Sequence, residues 1–121
     1  HLCDRRQRQM CIRDRYRNAD IISFPSLFEG FGMPIIEGQA TGRIVITSNL
    51  SPMKEVAGNG AILVDPYSVK EIRNAYLSVI QNKNIRENLL HEGLKNTENY
   101  KIEKIAQQYT DLYKKLYENI D

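Results

Sequence analysis

Three short apolar runs, each closed by a breaker and separated by helix-forming sequence, constrain this chain more than any other feature. Residues 19–24 (Ala-Asp-Ile-Ile-Ser-Phe) stop at Pro25, residues 43–47 (Arg-Ile-Val-Ile-Thr) are rich in β-branched side chains, and residues 61–64 (Ala-Ile-Leu-Val) follow the turn Gly58-Asn59-Gly60. Runs of this length and content, bounded by Pro and Gly, suit buried strands. Pro34 fits the first turn of a helix, because its missing N–H has no intrahelical partner there, and Gly42 suits the end of that helix. Ser51-Pro52 opens a brief helical turn through Val56. Strands alternating with helices predict parallel βαβ units, hence an α/β fold built on a small parallel sheet with helices.

Three helices are predicted to form a C-terminal tail. Ser68 and Glu71 make a capping box, with Val69, Ile72, Tyr76, Val79 and Ile80 on one face. A second helix is expected from Asn84 to about Glu98, with Ile85, Leu89, Leu90 and Leu94 inward and Gly93 weakening it by about 1 kcal/mol relative to alanine. The last, about 102–120, is the most periodic, and its Tyr109–Tyr113–Tyr117 row reads as core or interdomain packing, or as a partner surface.

Composition narrows the function classes. The 121 residues are 41% hydrophobic and 26% charged, ordinary values for one small globular domain. No apolar run is long enough to span a bilayer, and no apolar segment of a secretory signal follows the basic start, so the expected compartment is cytoplasmic. The net charge of +2 is uneven: residues 1–17 carry six arginines and two aspartates, and the remainder carries eleven basic and thirteen acidic side chains. An arginine tract of this kind can serve a nucleic-acid-binding module, but no aromatics are interleaved with it, and that reading ranks last. Cys3 and Cys11 fall in the same tract without CxxC spacing or a histidine pair, so no metal is expected.

The chemistry concentrates in residues 26–38, Ser-Leu-Phe-Glu-Gly-Phe-Gly-Met-Pro-Ile-Ile-Glu-Gly, which join the carboxyl end of the first strand to a helix start. In an open parallel sheet, ligands bind at that end. Gly30 and Gly32 permit close backbone approach, and the free N–H groups of the helix start make an anion site suited to a diphosphate. Glu29 on the loop and Glu37 on the helix flank this cradle. Carboxylates repel phosphate but accept hydrogen bonds from vicinal hydroxyls, so the set describes a ligand in which a diphosphate joins a sugar to a ribose. Each feature also has a plain structural reading: Glu37 suits a helix N-terminal half, and the glycines suit a tight turn. The pattern is neither GxGxxG nor GxxxxGK[ST].

With glutamates eight positions apart around Gly-Phe-Gly-Met-Pro, residues 26–37 resemble the E-x7-E motif of family 4 glycosyltransferases of the GT-B fold. The likeness extends to residues 16–20, 40–48, Glu55-Val56 with Gly58, residues 63–66, and Ile105-Ala106 with Leu112-Tyr113, about 105 residues in all. It implies a partial Rossmann-like domain, the C-terminal part of a nucleotide-sugar-binding domain over residues 16–121. It also implies a retaining hexosyl transfer from a UDP- or GDP-sugar to a glycan, lipid or protein acceptor, with no cofactor and no metal. Glu37 would accept from the donor ribose. Glu29, against the transferred sugar, is the candidate catalytic residue, and Gly30, Phe31, Gly32 and Met33 would line the donor. Glu55 is either a supporting residue or a surface carboxylate.

The family's other domain, which carries the acceptor, has no counterpart here, so the chain alone is expected to be inactive, with the first strand's edge exposed. The full-length enzyme could lie peripherally at a membrane. A non-transferring GT-B relative, such as a nucleotide-sugar epimerase, is the alternative. Residues 1–15 match nothing in that resemblance and read as a non-native basic lead segment.

Overall fold

A computed structural model of the chain describes residues 14–119. The arginine tract's first members, Cys3 and Cys11, and the expectations attached to them lie outside the described residues. After a helical turn at residues 14–18 come β1 (Ile21–Phe24), α1 (Met33–Ala40), β2 (Ile44–Ser48), α2 (Met53–Ala57) and β3 (Ala61–Val64). Then follow α3 (Val69–Gln81), α4 (Lys83–Thr97), a 3-10 turn (Glu98–Tyr100) and α5 (Ile102–Glu118).

The three strands form one parallel sheet in the order β1-β2-β3, as the βαβ alternation predicts. Ile21 lies beside Ile44 and Phe24 beside Thr47, while Val45 pairs with Ala61 and Ser48 with Val64. All five residues of the central strand are buried, which explains a sequence with no polar alternation until its end. Successive side chains point to opposite faces. Ile44 and Ile46 pack with Val64, Ala75, Val79 and Leu89 on the α3 side. Val45 packs with Ile35, Met53, Val56 and Ala57 on the side of α1 and α2. Both βαβ crossovers therefore cover one face, and the chain changes face only after β3. The β1 strand pairs with β2 alone, so its far edge is open among the described residues.

Local chemistry sets the helix boundaries. Ser68 Oγ accepts from the Glu71 N–H at 3.2 Å, the capping role read for Ser68, but its own N–H goes to the Asp65 carbonyl at 3.0 Å, so the reciprocal half of the expected capping box is not made. Asn82 caps α4 the same way, accepting from the Ile85 N–H at 3.1 Å, so that helix begins at Lys83 rather than Asn84. The α2 helix runs Met53–Ala57, two residues later than the predicted start at Ser51-Pro52.

Several side chains read as inward are not. Val69 (81% exposed) and Ile80 (62%) stand at the ends of α3, while Ala75 at its middle is buried. A 13-residue helix is about 20 Å long and a four-residue strand about 13 Å, so both ends of α3 overhang the sheet. Leu94 is exposed and Ile85 borders on exposed, whereas Leu89 is buried. On α5 no residue is buried, and Ile102, Tyr109, Leu112, Tyr113 and Tyr117 all face outward, so that stripe is not core of this chain. The membrane expectation stands at what the helices show: none of the described ones is long and apolar enough to cross a bilayer.

Gly93 has a different role from the helix defect expected of it. A Cβ on Gly60 would sit 2.5 Å from the Gly93 Cα, so α4 lies with its backbone directly against the N-terminal end of β3. Three residues on, a polar bridge links three elements. The Asn96 side-chain amide donates to Gln39 Oε1 and to the Val56 carbonyl, both at 2.8 Å, and Gln39 donates to the Ala57 carbonyl at 2.9 Å. This satisfies the buried Gln39 side chain and gives the last two carbonyls of α2 side-chain donors from outside the helix.

Candidate functional site

The loop between β1 and α1 is fixed from below by the end of β2. Thr47 and Ser48 are polar yet fully buried. Thr47 Oγ1 donates to the Phe24 carbonyl at 2.9 Å, and Ser48 Oγ donates to the Ser26 carbonyl. The Ser26 N–H turns back onto the Phe24 carbonyl at 2.9 Å. The loop therefore leaves the sheet at a defined angle.

Ser26 then reaches forward. Its Oγ stands 3.1 Å from Glu29 Oε1 and 3.1 Å from the Phe28 carbonyl. Glu29 is half-buried, Gly30 is exposed with nothing within 4 Å of a notional Cβ, and Phe28 projects into solvent. Gly32 is buried and caps α1 at φ 95°, ψ 51°. At that left-handed φ an L side chain is strained, and a Cβ would also meet Ile35 Cδ1 at 3.1 Å. Pro34 has no N–H and the Ile35 N–H is bonded to the Gly32 carbonyl at 3.0 Å, so of the first three residues of α1 only Met33 offers an amide to a ligand, with no side-chain cap competing for it.

Phe31 and Met33 are partly exposed on either side of Gly32. The Phe31 ring meets Tyr100 edge-on, with centroids 5.7 Å apart, and the Tyr100 hydroxyl donates to the Val56 carbonyl at 3.3 Å. A groove of about 550 Å³ continues from Phe31 and Tyr100 along Ile105, Tyr109 and Leu112. The loop between β1 and α1 thus borders the apolar face of α5.

Glu37 is exposed on α1. The Tyr16 hydroxyl is turned toward it: burial first, then the hydrogen bond to Glu37 and its negative charge, push the Tyr16 hydroxyl well above its ordinary range. Tyr16 is itself tethered, since Arg43 Nε donates to its carbonyl at 3.0 Å and Arg43 Nη2 to that of Arg17.

All six residues predicted to line the site, Glu29 to Met33 and Glu37, belong to this one loop and helix at the carboxyl end of β1. Glu55 does not join them: it is exposed and accepts from Ser51 Oγ at 2.6 Å, which holds its carboxyl below its ordinary value. Asp65 accepts from the Tyr67 N–H at 2.9 Å and so shapes the turn into α3. Sequence reasoning missed Ser26 as Glu29's partner, Thr47 and Ser48 as its foundation, and Tyr16 as the neighbour of Glu37. The signal available was two hydroxyl residues ending an otherwise apolar strand. Among the described residues, no cluster of three or more His, Cys, Asp or Glu could hold a metal ion.

Comparison with known proteins bears on the family and the fold. The model of the family described as glycosyl transferases group 1 matches residues 6–96, a span that begins inside the basic lead tract. The chain is 33% identical over 101 residues to O-antigen chain mannosyltransferase B of Escherichia coli, covering 84% of this chain and 26% of that protein. It is 34% identical over 86 residues to the capsular polysaccharide biosynthesis glycosyltransferase CapM of Staphylococcus aureus, covering 69% of this chain and 23% of that one. The chain thus spans about a quarter of the length of these relatives.

Among solved structures, it superposes on a sucrose-phosphate synthase from Thermosynechococcus elongatus with a TM-score of 0.73 and 26% identity, over 87% of this chain and 27% of that one. It also superposes on the C-terminal domain of a group 1 glycosyl transferase from Francisella tularensis, with a TM-score of 0.71 and 28% identity, over 84% of this chain and 52% of that one.

Proposed function

The chain belongs to the glycosyl transferases group 1 family, with the fold of a GT-B glycosyltransferase domain, and from that membership we propose that residues 26–38 bind a nucleotide-sugar donor. The observation that carries this reading is the pair Glu29 and Glu37 bracketing a helix start whose cap is a buried, left-handed Gly32. The helix-start amides around Phe31, Gly32 and Met33 receive the diphosphate. They also counter the negative charge that grows on it as the sugar leaves. Glu37 accepts from the ribose hydroxyls, and Glu29 accepts from hydroxyls of the transferred hexose.

The donor is a UDP- or GDP-sugar, and the transfer retains anomeric configuration without a bound metal. The relatives named for O-antigen and capsular polysaccharide synthesis support a glycan acceptor.

Ligand-observed NMR of the chain with UDP- and GDP-sugars tests the reading. Saturation transfer to ribose protons is expected from the wild type and is lost in Glu37→Ala. Ribose signals that persist in Glu37→Ala would remove the assignment.

A further inference from the structure

We propose that Ser26 is the positioning residue for Glu29, holding one carboxylate oxygen so that the other faces the donor's sugar; the inference rests on the donor-site reading above. Ser26 is unusual in being fixed before its side chain acts. Its N–H is bonded to Phe24, and its carbonyl receives the hydroxyl of the fully buried Ser48. Thr47, equally buried, holds the same Phe24 carbonyl at 2.9 Å. The Cα–Cβ bond of Ser26 therefore points in a direction set by the sheet, not by the loop.

From that base, Oγ reaches Glu29 Oε1 and the Phe28 carbonyl at the same 3.1 Å. A serine hydroxyl has one proton to give, and a charged carboxylate is the stronger acceptor, so the proton goes to Glu29. The ion pairs among the described residues, Lys83–Glu87 and Lys101–Glu98, leave Glu29 to this hydroxyl. A neutral partner suits the task, because it orients the carboxylate without neutralising the charge that attracts sugar hydroxyls. The line Ser48, Ser26, Glu29 carries the rigidity of the central strand across 22 residues of sequence to a flexible acid on a glycine-rich loop.

Two measurements on the 121-residue chain test this, one of them without ligand. Side-chain coupling constants should show Glu29 in one rotamer in the wild type, averaged rotamers in Ser26→Ala, and one rotamer again in Ser26→Thr, with amide spectra confirming the fold of each. With nucleotide sugar present, Ser26→Ala should bind about tenfold more weakly and lose saturation transfer to hexose protons while keeping it to ribose. In a Glu29→Gln background the same substitution should add little. A single Glu29 rotamer and an unchanged hexose signal in folded Ser26→Ala would overturn the assignment, as would failure of Ser26→Thr to restore either. Wild-type chain with a fixed Glu29 rotamer but no donor signal would overturn the donor-site reading itself, and the functional part of the Ser26 assignment with it.

Discussion

Two glycines in one contact should respond very unequally to the same substitution. A Cβ at Gly60 would lie 2.5 Å from Gly93 Cα, 2.7 Å from Gly93 N and 2.7 Å from Gln39 Nε2. Gly60 is not among the glycines of positive φ, so the cost of Gly60→Ala is contact rather than backbone strain. Nothing nearby can yield cheaply. Two of the three atoms are helix backbone, and the Gln39 amide is committed to Ala57 and Asn96. Ordinary contact requires α4 to retreat by roughly 1 Å, and overpacking of that kind costs about 3 kcal/mol. For a chain of 121 residues that lowers Tm by roughly 12 °C.

At Gly93 the arithmetic differs. A new Cβ meets Gln39 Cγ at 3.3 Å and Cβ at 3.5 Å, both side-chain atoms, while α4 gains about 1 kcal/mol from alanine in its interior. Gly93→Ala should therefore stay within about 1 kcal/mol of the wild type. Urea unfolding with an unchanged m-value distinguishes the two variants. Gly60→Ala within 1 kcal/mol of wild type, or Gly93→Ala the costlier of the pair, would refute the packing argument.

Two further expectations follow from the polar contacts. Removing Asn96 with Asn96→Ala should cost about 2 kcal/mol, because Gln39 Oε1 loses its donor in a buried setting; Tyr100→Phe should cost about 1 kcal/mol or less, since the Val56 carbonyl keeps its bond to Asn96. Chemical denaturation of each variant checks both, and a costlier Tyr100→Phe would contradict the assignment. The second concerns alkaline pH: a folded Tyr16 that keeps its proton above the range where an unfolded tyrosine ionises, near pH 10, contributes stability present below that pH and lost as pH rises through the folded value. Absorbance titration of the tyrosinates should show a late-ionising component that disappears in Tyr16→Phe, and stability above pH 10 should fall less steeply in that variant.

What was legible in the sequence was whatever depends on neighbours along the chain. The run Ala61–Val64 is a strand with those bounds, Ser68 caps α3, and the span between Pro34 and Gly42 is helical in place, because breakers, caps and β-branched runs act over a few residues. The placement of Glu29 and Glu37 on one loop and helix followed from the same local logic. Periodicity also identified the apolar face of α5, but a period states that a face exists and not what covers it, which is why Tyr113 can be 67% exposed in a well-formed amphipathic helix.

The contacts that hold the site were the illegible part, since each crosses a long stretch of sequence: Ser48 to Ser26, Arg43 to Tyr16, Asn96 to Gln39. Strand register makes some of them readable afterwards. Once Phe24 lies beside Thr47, the next residue of β2 must end under the start of the loop, and a hydroxyl there has the Ser26 carbonyl within reach. The physics thus divides the labour. Local sequence chooses the acids and the helix start that could grip a donor, and the end of the central strand decides whether Glu29 is held still enough to do so.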